Sequence, residues 1–421
     1  MLGGAVIRPR QSWLTEGVLA AARAGEIDLV SHMRRHQEVV RLVAHDDWEQ
    51  LRAMGSDWGD TLPRYARTHH VAQFLLGRIV AEGREDVVPQ HWIDGLRKVT
   101  ERRRNRVARL EAALPEIAAA FVKNGIGFRV LKGAPFSEKY FGGPGLRDSL
   151  DLDLLVREQD AHDALRTLID LGYRAKRRRL RRSARGLEIR PHRLRTEHAL
   201  ELKRGTISVD LHWRLRTAPA YRIAGSDVWS GPQQVRVGGT AYPVLSDEYA
   251  LVLLLISLAH DVGRRGARLK HVLDVYQLLR CLPDDFEWPG FFERRQAENT
   301  LSVAVNVLLL VRAVFGEEDD VPGLTAALND YRSLQRPSST LHATQLIHGV
   351  AGGWLNTRWL LSVYPVEWLR DALWFVDRHV VHPGSLLVLP YRGLLFMGRA
   401  VGRRVKRYFS RGRGPLRGTD R

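Results

Sequence analysis

Two aspartates inside an apolar run are the residues with the clearest chemical potential. Asp151 and Asp153 lie in the run Leu150–Val156, where leucines occupy the positions between and after them. Side chains alternate between the two faces of a strand, so this spacing predicts both carboxylates on one face and the leucines on the other. Neighbouring carboxylates repel each other unless a cation lies between them, and Mg²⁺ or Mn²⁺ binds carboxylate oxygens. We interpret the pair as a metal site, with a structural ion pair as the alternative.

A third carboxylate is expected to join them. The run Thr206–Arg214 alternates apolar and polar residues, which predicts a half-buried strand with Asp210 and His212 on its polar face. If this strand lies beside the first, three carboxylates converge, and such an arrangement suits phosphoryl or nucleotidyl transfer. His212 shares the face of Asp210 and is therefore a candidate contact for a nucleotide or substrate.

A lysine and a glycine precede the aspartates. Lys132 and Gly133 lie between a predicted strand at Gly127–Leu131 and a predicted helical turn at Pro135–Tyr140. A glycine at such a turn lets a phosphate approach the backbone, the helix N-terminus supplies N–H donors, and the lysine adds a positive charge. Because turns of this kind are common, the nucleotide-binding interpretation depends on their short distance from the aspartates, which one nucleotide could span.

Arg147 lies between the glycine turn and the aspartates. Its guanidinium could bind phosphate oxygens in a bidentate manner, which makes it a candidate nucleotide-binding residue. A structural ion pair with Asp148 or Asp151 is the equal alternative. Asp148 itself is interpreted as a turn residue, because aspartate is common in turns.

The chain around these residues is predicted to have four parts. Residues 1–125 read as a helical N-terminal region that ends in a long helix from about Trp92 to Lys123, with Asn124 and Gly125 as its stop signal. Residues 126–245 form the core of strands and helices, with hairpins predicted around Arg204-Gly205 and Gly238-Gly239. Residues 246–405 read as a helical C-terminal region, and residues 406–421 as a basic, disordered tail.

The positive charge of the chain favours anionic partners. The net charge is +18 over 421 residues, from 65 Lys and Arg against 47 Asp and Glu. Nucleotide phosphates, nucleic acid and an acidic membrane surface all fit this sign, while a generally arginine-rich composition is the alternative explanation. The basic run 174–195 could contact nucleic acid or could be a flexible, solvated insertion. The arginine-rich stretch Arg97–Arg109 is interpreted as a solvated helix face, and the basic C-terminal stretch could contact an anionic membrane.

The cysteine count and the lengths of the apolar runs bear on the cellular location of the protein. The single cysteine, Cys281, excludes an internal disulfide and suits a reducing compartment. The longest apolar runs are shorter than the roughly 18 residues that a transmembrane helix needs. We therefore expect a cytoplasmic protein without a transmembrane segment.

Taken together, the motifs resemble a known family. The residues that carry the resemblance are LKG at Leu131–Gly133, GLR at Gly145–Arg147, DLDLLV at Asp151–Val156 and VDLHWRL at Val209–Leu215, followed by His260 and by LKHVLDVYQLL at Leu269–Leu279. The chain resembles the broad, largely uncharacterised nucleotidyltransferase family of the polymerase-β-like superfamily. The resemblance covers roughly residues 65 to 285.

This resemblance implies an α+β fold, in which helices flank a small mixed sheet. It implies that Asp151, Asp153 and Asp210 bind two Mg²⁺ ions and that the turn at Gly133 positions the triphosphate. An acceptor hydroxyl then attacks the α-phosphate and pyrophosphate leaves, with Asp210 positioning or deprotonating that hydroxyl. The chain departs from the commoner superfamily pattern at Ala134, where serine is usual, and in its long basic run before the third acid.

The sequence therefore predicts a metal-dependent nucleotidyltransferase. The expected substrate is an NTP, with ATP as the first choice, and the acceptor is a hydroxyl of a small molecule, peptide or protein. One alternative is a nucleic-acid-binding or RNA-modifying protein, which the charge would favour. Another is a non-catalytic nucleotide-binding module on the same fold.

Overall fold

A computed structural model describes nine stretches of the chain. These are residues 28–54, 61–176, 180–184, 186–216, 221–231, 233–265, 267–316, 321–331 and 340–348. Within them, helices surround a mixed sheet, so the predicted α+β class is confirmed. The predicted tail at 406–421 and the basic C-terminal stretch lie outside the described residues.

The described residues of the N-terminal region, 28–54 and 61–125, are mainly helical. Its helices are α1 (Leu29–Ala44), α2 (Trp48–Ala53), α3 (Leu62–His69), α4 (Ala72–Ala81) and α5 (Gln90–Lys123). The long helix α5 stops at Asn124, and Gly125 follows with a φ of +66°, a conformation that glycine adopts without strain. The apolar spacing over residues 67–82 suggests one helix, but His70 has a left-handed φ of +59° and separates α3 from α4.

The central part of the chain supplies the sheet. Its elements are β1 (Phe128–Val130), α6 (Ala134–Phe141), β2 (Leu152–Val156), α7 (Ala161–Asp170), β3 (Arg174–Ala175), β4 (Leu180–Ser183), β5 (Gly186–Ile189), α8 (Pro191–Thr196), β6 (Ala199–Arg204), β7 (Ile207–His212), α9 (Gly225–Trp229), β8 (Gln233–Val237) and β9 (Thr240–Val244). Seven strands form one sheet in the order β3-β6-β7-β2-β1-β9-β8. Both predicted hairpins, β6–β7 and β8–β9, are present.

The pairing of β2 places it at the middle of the sheet. It runs parallel to β7 on one side and antiparallel to β1 on the other. The strand begins at Leu152, two residues later than the alternation suggests, so Asp151 lies just before it. A local pattern cannot locate this boundary, because the residues before Leu152 are held by contacts with distant helices, described below.

The basic run 174–195 is largely structured, which corrects the alternative of a flexible insertion. It contains β3, the two-stranded hairpin of β4 and β5, and α8. Ile189 at the end of this hairpin is buried, and its N–H donates to Nδ1 of His162 on α7. Residues 177–179 and 185 of the run are outside the described residues.

The C-terminal part is helical as well. Its described helices are α10 (Asp247–Arg265), α11 (Leu269–Arg280), α12 (Trp288–Ala297), α13 (Leu301–Phe315), α14 (Leu324–Asn329) and α15 (Thr340–His348). The apolar stretch from 291 to 315 is divided near Asn299, which has a φ of +58°. In the parts of the chain that the structure describes, no helix combines the length and the apolar character needed to cross a membrane.

Two hydrophobic clusters lie on opposite faces of the sheet. One packs α5 and α7 against Leu152, Leu154 and Val156 of β2, which are the residues predicted to face the core. The other joins the N-terminal and C-terminal helices and includes Leu155 of β2. Because residues two apart in a strand share a face, Asp153 points toward the same side as Leu155, where α11 lies.

Candidate active site

The register of β2 and β7 brings two of the predicted acids together. Asp153 and Asp210 are direct partners in adjacent parallel strands. Ligand atoms of Asp153, Asp210 and His212 all lie within 4.8 Å of one another, close enough to surround one metal ion. The alternation of residues predicted that Asp153, Asp210 and His212 lie on the polar faces of their strands. The register of the two strands brings the three side chains together.

Asp151 lies beside this cluster rather than within it. It is not part of the group whose ligand atoms meet within 4.8 Å, which is the one such group among the described residues. Burial and the negative charge of Asp153 raise the pKa of Asp151, while Lys270, Lys132 and Arg147 act in the opposite direction. Asp151 therefore belongs to the same electrostatic network as the other two acids.

The acids are held at different pKa values. Burial alone would raise the pKa of Asp153, but the hydrogen bond with His212 and the charges of Lys132, His212 and Arg147 lower it below its ordinary value. Burial and the neighbouring Asp153 raise the pKa of Asp210 to about 6. A divalent cation would relieve the repulsion between these like charges, because a cation favours the ionised form of each carboxylate.

His212 orients Asp153. Its Nε2 lies 3.0 Å from Oδ1 of Asp153. An ionised carboxylate only accepts hydrogen bonds, so Nε2 carries the proton and donates. Nε2 is then unable to coordinate a metal, and the carboxylate oxygens of Asp151, Asp153 and Asp210 are the donors that fit Mg²⁺ or Mn²⁺.

The predicted glycine turn has the expected geometry. Gly133 ends the segment after β1 and precedes the first residue of α6, with φ +86° and ψ −148°. A side chain would be strained at this φ, although a Cβ would meet no atom within 4 Å. There is therefore open space beside the backbone of Gly133, where α6 begins, and the charge of half-buried Lys132 acts on both Asp151 and Asp153.

Arg147 forms a buried ion pair with a residue that the sequence did not suggest. Its Nε and Nη2 donate to the two oxygens of Asp274 on α11 at 2.7 Å each, and its Nη1 donates to Ser149 at 3.2 Å. Both side chains of the pair are at most 3% exposed. The ion-pair alternative thus has the right chemistry, but the partner is Asp274 rather than Asp148 or Asp151.

Arginines of α5 contact the segments that lead into the acid-bearing strands. Arg103 pairs with buried Asp148, which also contacts His70 at 3.1 Å. Arg106 donates to the carbonyl of Leu150 at 2.7 Å, and Arg109 donates to Thr206 at 2.9 Å. These contacts correct the interpretation of Arg97–Arg109 as only a solvated face.

The motif LKHVLDVYQLL, which contributes to the family resemblance, contains two charged residues of α11 to which the sequence assigned no role. Lys270 and Asp274 are one helical turn apart, and both are buried. A signal was available, since LKHVLDVYQLL places a lysine and an aspartate on an otherwise apolar helix, where charged residues need partners. The identity of those partners was not readable from the sequence.

The chain belongs to the family described as uncharacterised nucleotidyltransferases. The family model matches residues 55–316, more than half of the chain, and includes the whole of the sheet, α10 and α11. This confirms the resemblance that the motifs indicated. A comparison with curated proteins finds no match.

Proposed function

We propose that the protein is a metal-dependent nucleotidyltransferase that moves a nucleoside monophosphate from an NTP to a hydroxyl acceptor. The family supports nucleotidyl transfer in general. The observation that carries the metal-dependent reaction is the pairing of Asp153 with Asp210 across parallel strands, with Asp151 next to them. Carboxylates gathered at one point of a sheet suit the binding of divalent ions.

The residues of the chain have distinct tasks in this proposal. Asp151, Asp153 and Asp210 would hold the divalent ions, which would supply positive charge to stabilise the phosphates. The turn at Gly133 offers the N-terminus of α6 to the phosphate chain, and Lys132 adds a positive charge. Arg147 acts through Asp274 as a positioning residue, because each of its three guanidinium nitrogens already donates a hydrogen bond within the protein.

The proposed reaction is a nucleophilic displacement at the α-phosphorus of the NTP. The acceptor oxygen forms a bond to the α-phosphorus, and the bond from that phosphorus to the bridging oxygen of the β-phosphate breaks. The electron pair of the broken bond leaves with pyrophosphate. The proton of the acceptor hydroxyl passes to a carboxylate oxygen of Asp210.

Three finer points belong to the same proposal. ATP is the nucleotide we expect first, and the acceptor is a hydroxyl of a small molecule, peptide or protein. The cytoplasm is the expected location, which the single cysteine supports. The boundaries near 125 and 245 are the proposed limits of the catalytic core, although the helices on both sides share a hydrophobic cluster.

Nucleic-acid binding through the basic run 174–195 has less support. Arg181 pairs with Glu188, and Arg193 pairs with Glu197, so part of the positive charge is neutralised within the run. The alternative would be favoured by oligonucleotide binding that falls steeply with salt and persists without the acids of β2.

Calorimetric titration of MgATP and MgGTP tests the proposed function. We expect binding that requires both the metal and Asp153, and therefore loss of binding in Asp153→Asn and in the presence of EDTA. Asp170→Asn is the matched control, because Asp170 is an exposed carboxylate at the end of α7. Metal-independent binding, or no binding of any NTP, would contradict the proposal.

A pyrophosphate-release assay over a panel of hydroxyl acceptors then separates catalysis from binding. Release that depends on Asp153 and on one acceptor class supports transfer. Tight, metal-dependent NTP binding without release on any acceptor would favour the non-catalytic module instead.

A further inference from the structure

Lys270 is a buried cation without a direct partner in the described part of the chain. It is the second residue of α11 and is only 9% exposed. No described residue places an acceptor within hydrogen-bond reach of its ammonium group or a carboxylate within ion-pair reach. Burying a charged group without a partner is unfavourable, so such a lysine indicates a missing anion.

The surroundings of Lys270 identify where that anion would lie. The charges that act on it are those of Arg147, Asp274, Asp151 and Lys132. Arg147 and Asp274 already satisfy each other through two hydrogen bonds. Lys132 and Lys270 therefore remain as two ammonium groups near Asp151, on the side of the site where Gly133 begins α6.

The opposite side of the site has the opposite character. Asp210 is the direct partner of Asp153 on β2 and of Glu201 on β6, so acids lie on both of its neighbouring strands. His212 follows two residues later on β7 and contacts Asp153. The cluster of acids is thus bordered by cations next to Asp151 and by acids and a histidine next to Asp210. An anionic chain would be directed to the side of Asp151 by this arrangement.

We propose that Lys270, together with Lys132, binds the β- and γ-phosphates of the NTP and the pyrophosphate that leaves. This inference rests on the proposed nucleotidyl transfer and specifies the side of the site on which pyrophosphate leaves. The bond that breaks then delivers its electron pair toward the two lysines.

The protonation of Lys270 agrees with this assignment. Burial, with the nearby positive charge of Arg147, lowers its pKa to about 7. This is the behaviour of an ammonium group that lacks an anion of its own, and a phosphate would supply one. Charge-assisted contacts of an ammonium with phosphate oxygens are among the stronger hydrogen bonds in proteins.

Two ligands that respond in opposite directions test the assignment. In one experiment, pyrophosphate is titrated into the full chain and into Lys270→Met in the presence of saturating Mg²⁺. In a separate experiment, Mn²⁺ alone is titrated into the same two proteins. We expect the pyrophosphate affinity to fall roughly ten-fold or more, because a charge-assisted contact is lost. We expect the Mn²⁺ affinity to stay the same or to rise, because removing a cation near Asp151 favours another cation. Lys123→Met, at an exposed lysine that ends α5, is the matched control.

Each outcome separates the subsite from the overall function. Unchanged pyrophosphate affinity in Lys270→Met overturns the subsite, and so does parallel loss of pyrophosphate and Mn²⁺ binding, which would indicate a structural role. Failure of the unaltered chain to bind Mn²⁺ or MgATP overturns the proposed function itself. If Lys270→Met does not fold, Lys270→Gln carries the same comparison, because glutamine keeps a polar head without the charge.

Discussion

Asp153 of β2 and Asp274 of α11 are carboxylates of one electrostatic network, yet they have different surroundings. Both oxygens of Asp274 accept hydrogen bonds from Arg147 in a pair that solvent does not reach. Asp153 accepts one hydrogen bond, from His212, and its Oδ2 accepts none from the described residues. Asp153 keeps one oxygen that no described residue contacts by a hydrogen bond, whereas Arg147 engages both oxygens of Asp274. The acid cluster on the sheet therefore retains an oxygen that is open to a ligand, whereas the Arg147–Asp274 pair is a supporting contact within the protein.

The largest difference between these two carboxylates is expected in metal binding. Asp153→Asn removes a charged oxygen donor from the centre of the acid cluster, so the Mn²⁺ affinity should fall on the order of 100-fold or more. Electron paramagnetic resonance of free Mn²⁺ measures this directly. Asp170→Asn should leave the affinity unchanged, and a similar loss in both variants would disprove a specific role for Asp153.

The supporting pair is expected to act on stability instead. Arg147→Met leaves Asp274 buried without a partner, and loss of one partner of a buried pair costs about 3–5 kcal/mol. The free energy of unfolding in urea gives the value. Arg52→Met is the matched control, since the pair of Arg52 with Asp86 is more than 60% exposed on both sides and should contribute less than about 1 kcal/mol. Equal effects in the two variants would contradict the distinction.

Substitution of Asp210 should stabilise the metal-free protein, whereas substitution of Arg147 should destabilise it. The folded pKa of about 6 for Asp210 lies above the ordinary value of 3.8, so the folded state of the metal-free protein disfavours the ionised form. The free energy of unfolding is therefore unaffected by Asp210 below about pH 4, where the carboxyl is protonated in both states. It falls as the pH rises from about 4 to 6, and the loss is complete above that range. Asp210→Asn should therefore stabilise the metal-free protein at pH 7.5, on the order of 2 kcal/mol.

Urea unfolding in EDTA at pH 4 and pH 7.5 checks this expectation. The advantage of Asp210→Asn should be present at pH 7.5 and absent at pH 4. An advantage of equal size at both pH values would show that the substitution acts through packing rather than through charge.

The smallest effect is expected from the arginines of α5. Arg106→Gln removes an exposed donor to the carbonyl of Leu150, just before Asp151. We expect a loss of stability of no more than about 1 kcal/mol and a Mn²⁺ affinity that falls only a few-fold. Arg104→Gln, whose side chain is 75% exposed, provides the comparison. A loss as large as that of Asp153→Asn would mean that α5 is part of the chemistry and would remove the division between site and support.

The sequence by itself determined the features that depend on backbone periodicity. Alternating residues placed Asp153 and Asp210 on the polar faces of β2 and β7, and a glycine where the chain turns marked Gly133. The long helix α5 ended where Asn124 and Gly125 predicted. These features are local, because side-chain direction in a strand and backbone freedom at glycine follow from the residues themselves.

Only the tertiary structure decided which charges meet. Arg147 finds Asp274 on a helix that follows it by more than a hundred residues, α5 reaches the segment before β2, and Lys270 comes to lie near Asp151. The start of β2 at Leu152 and the division between α3 and α4 at His70 also depend on such distant contacts. A charged side chain shows in the sequence that it needs a partner, but several partners of the right sign are always available. Packing of the helices against the sheet determines which partner each charged side chain meets. The periodicity of residues along the chain does not specify that partner.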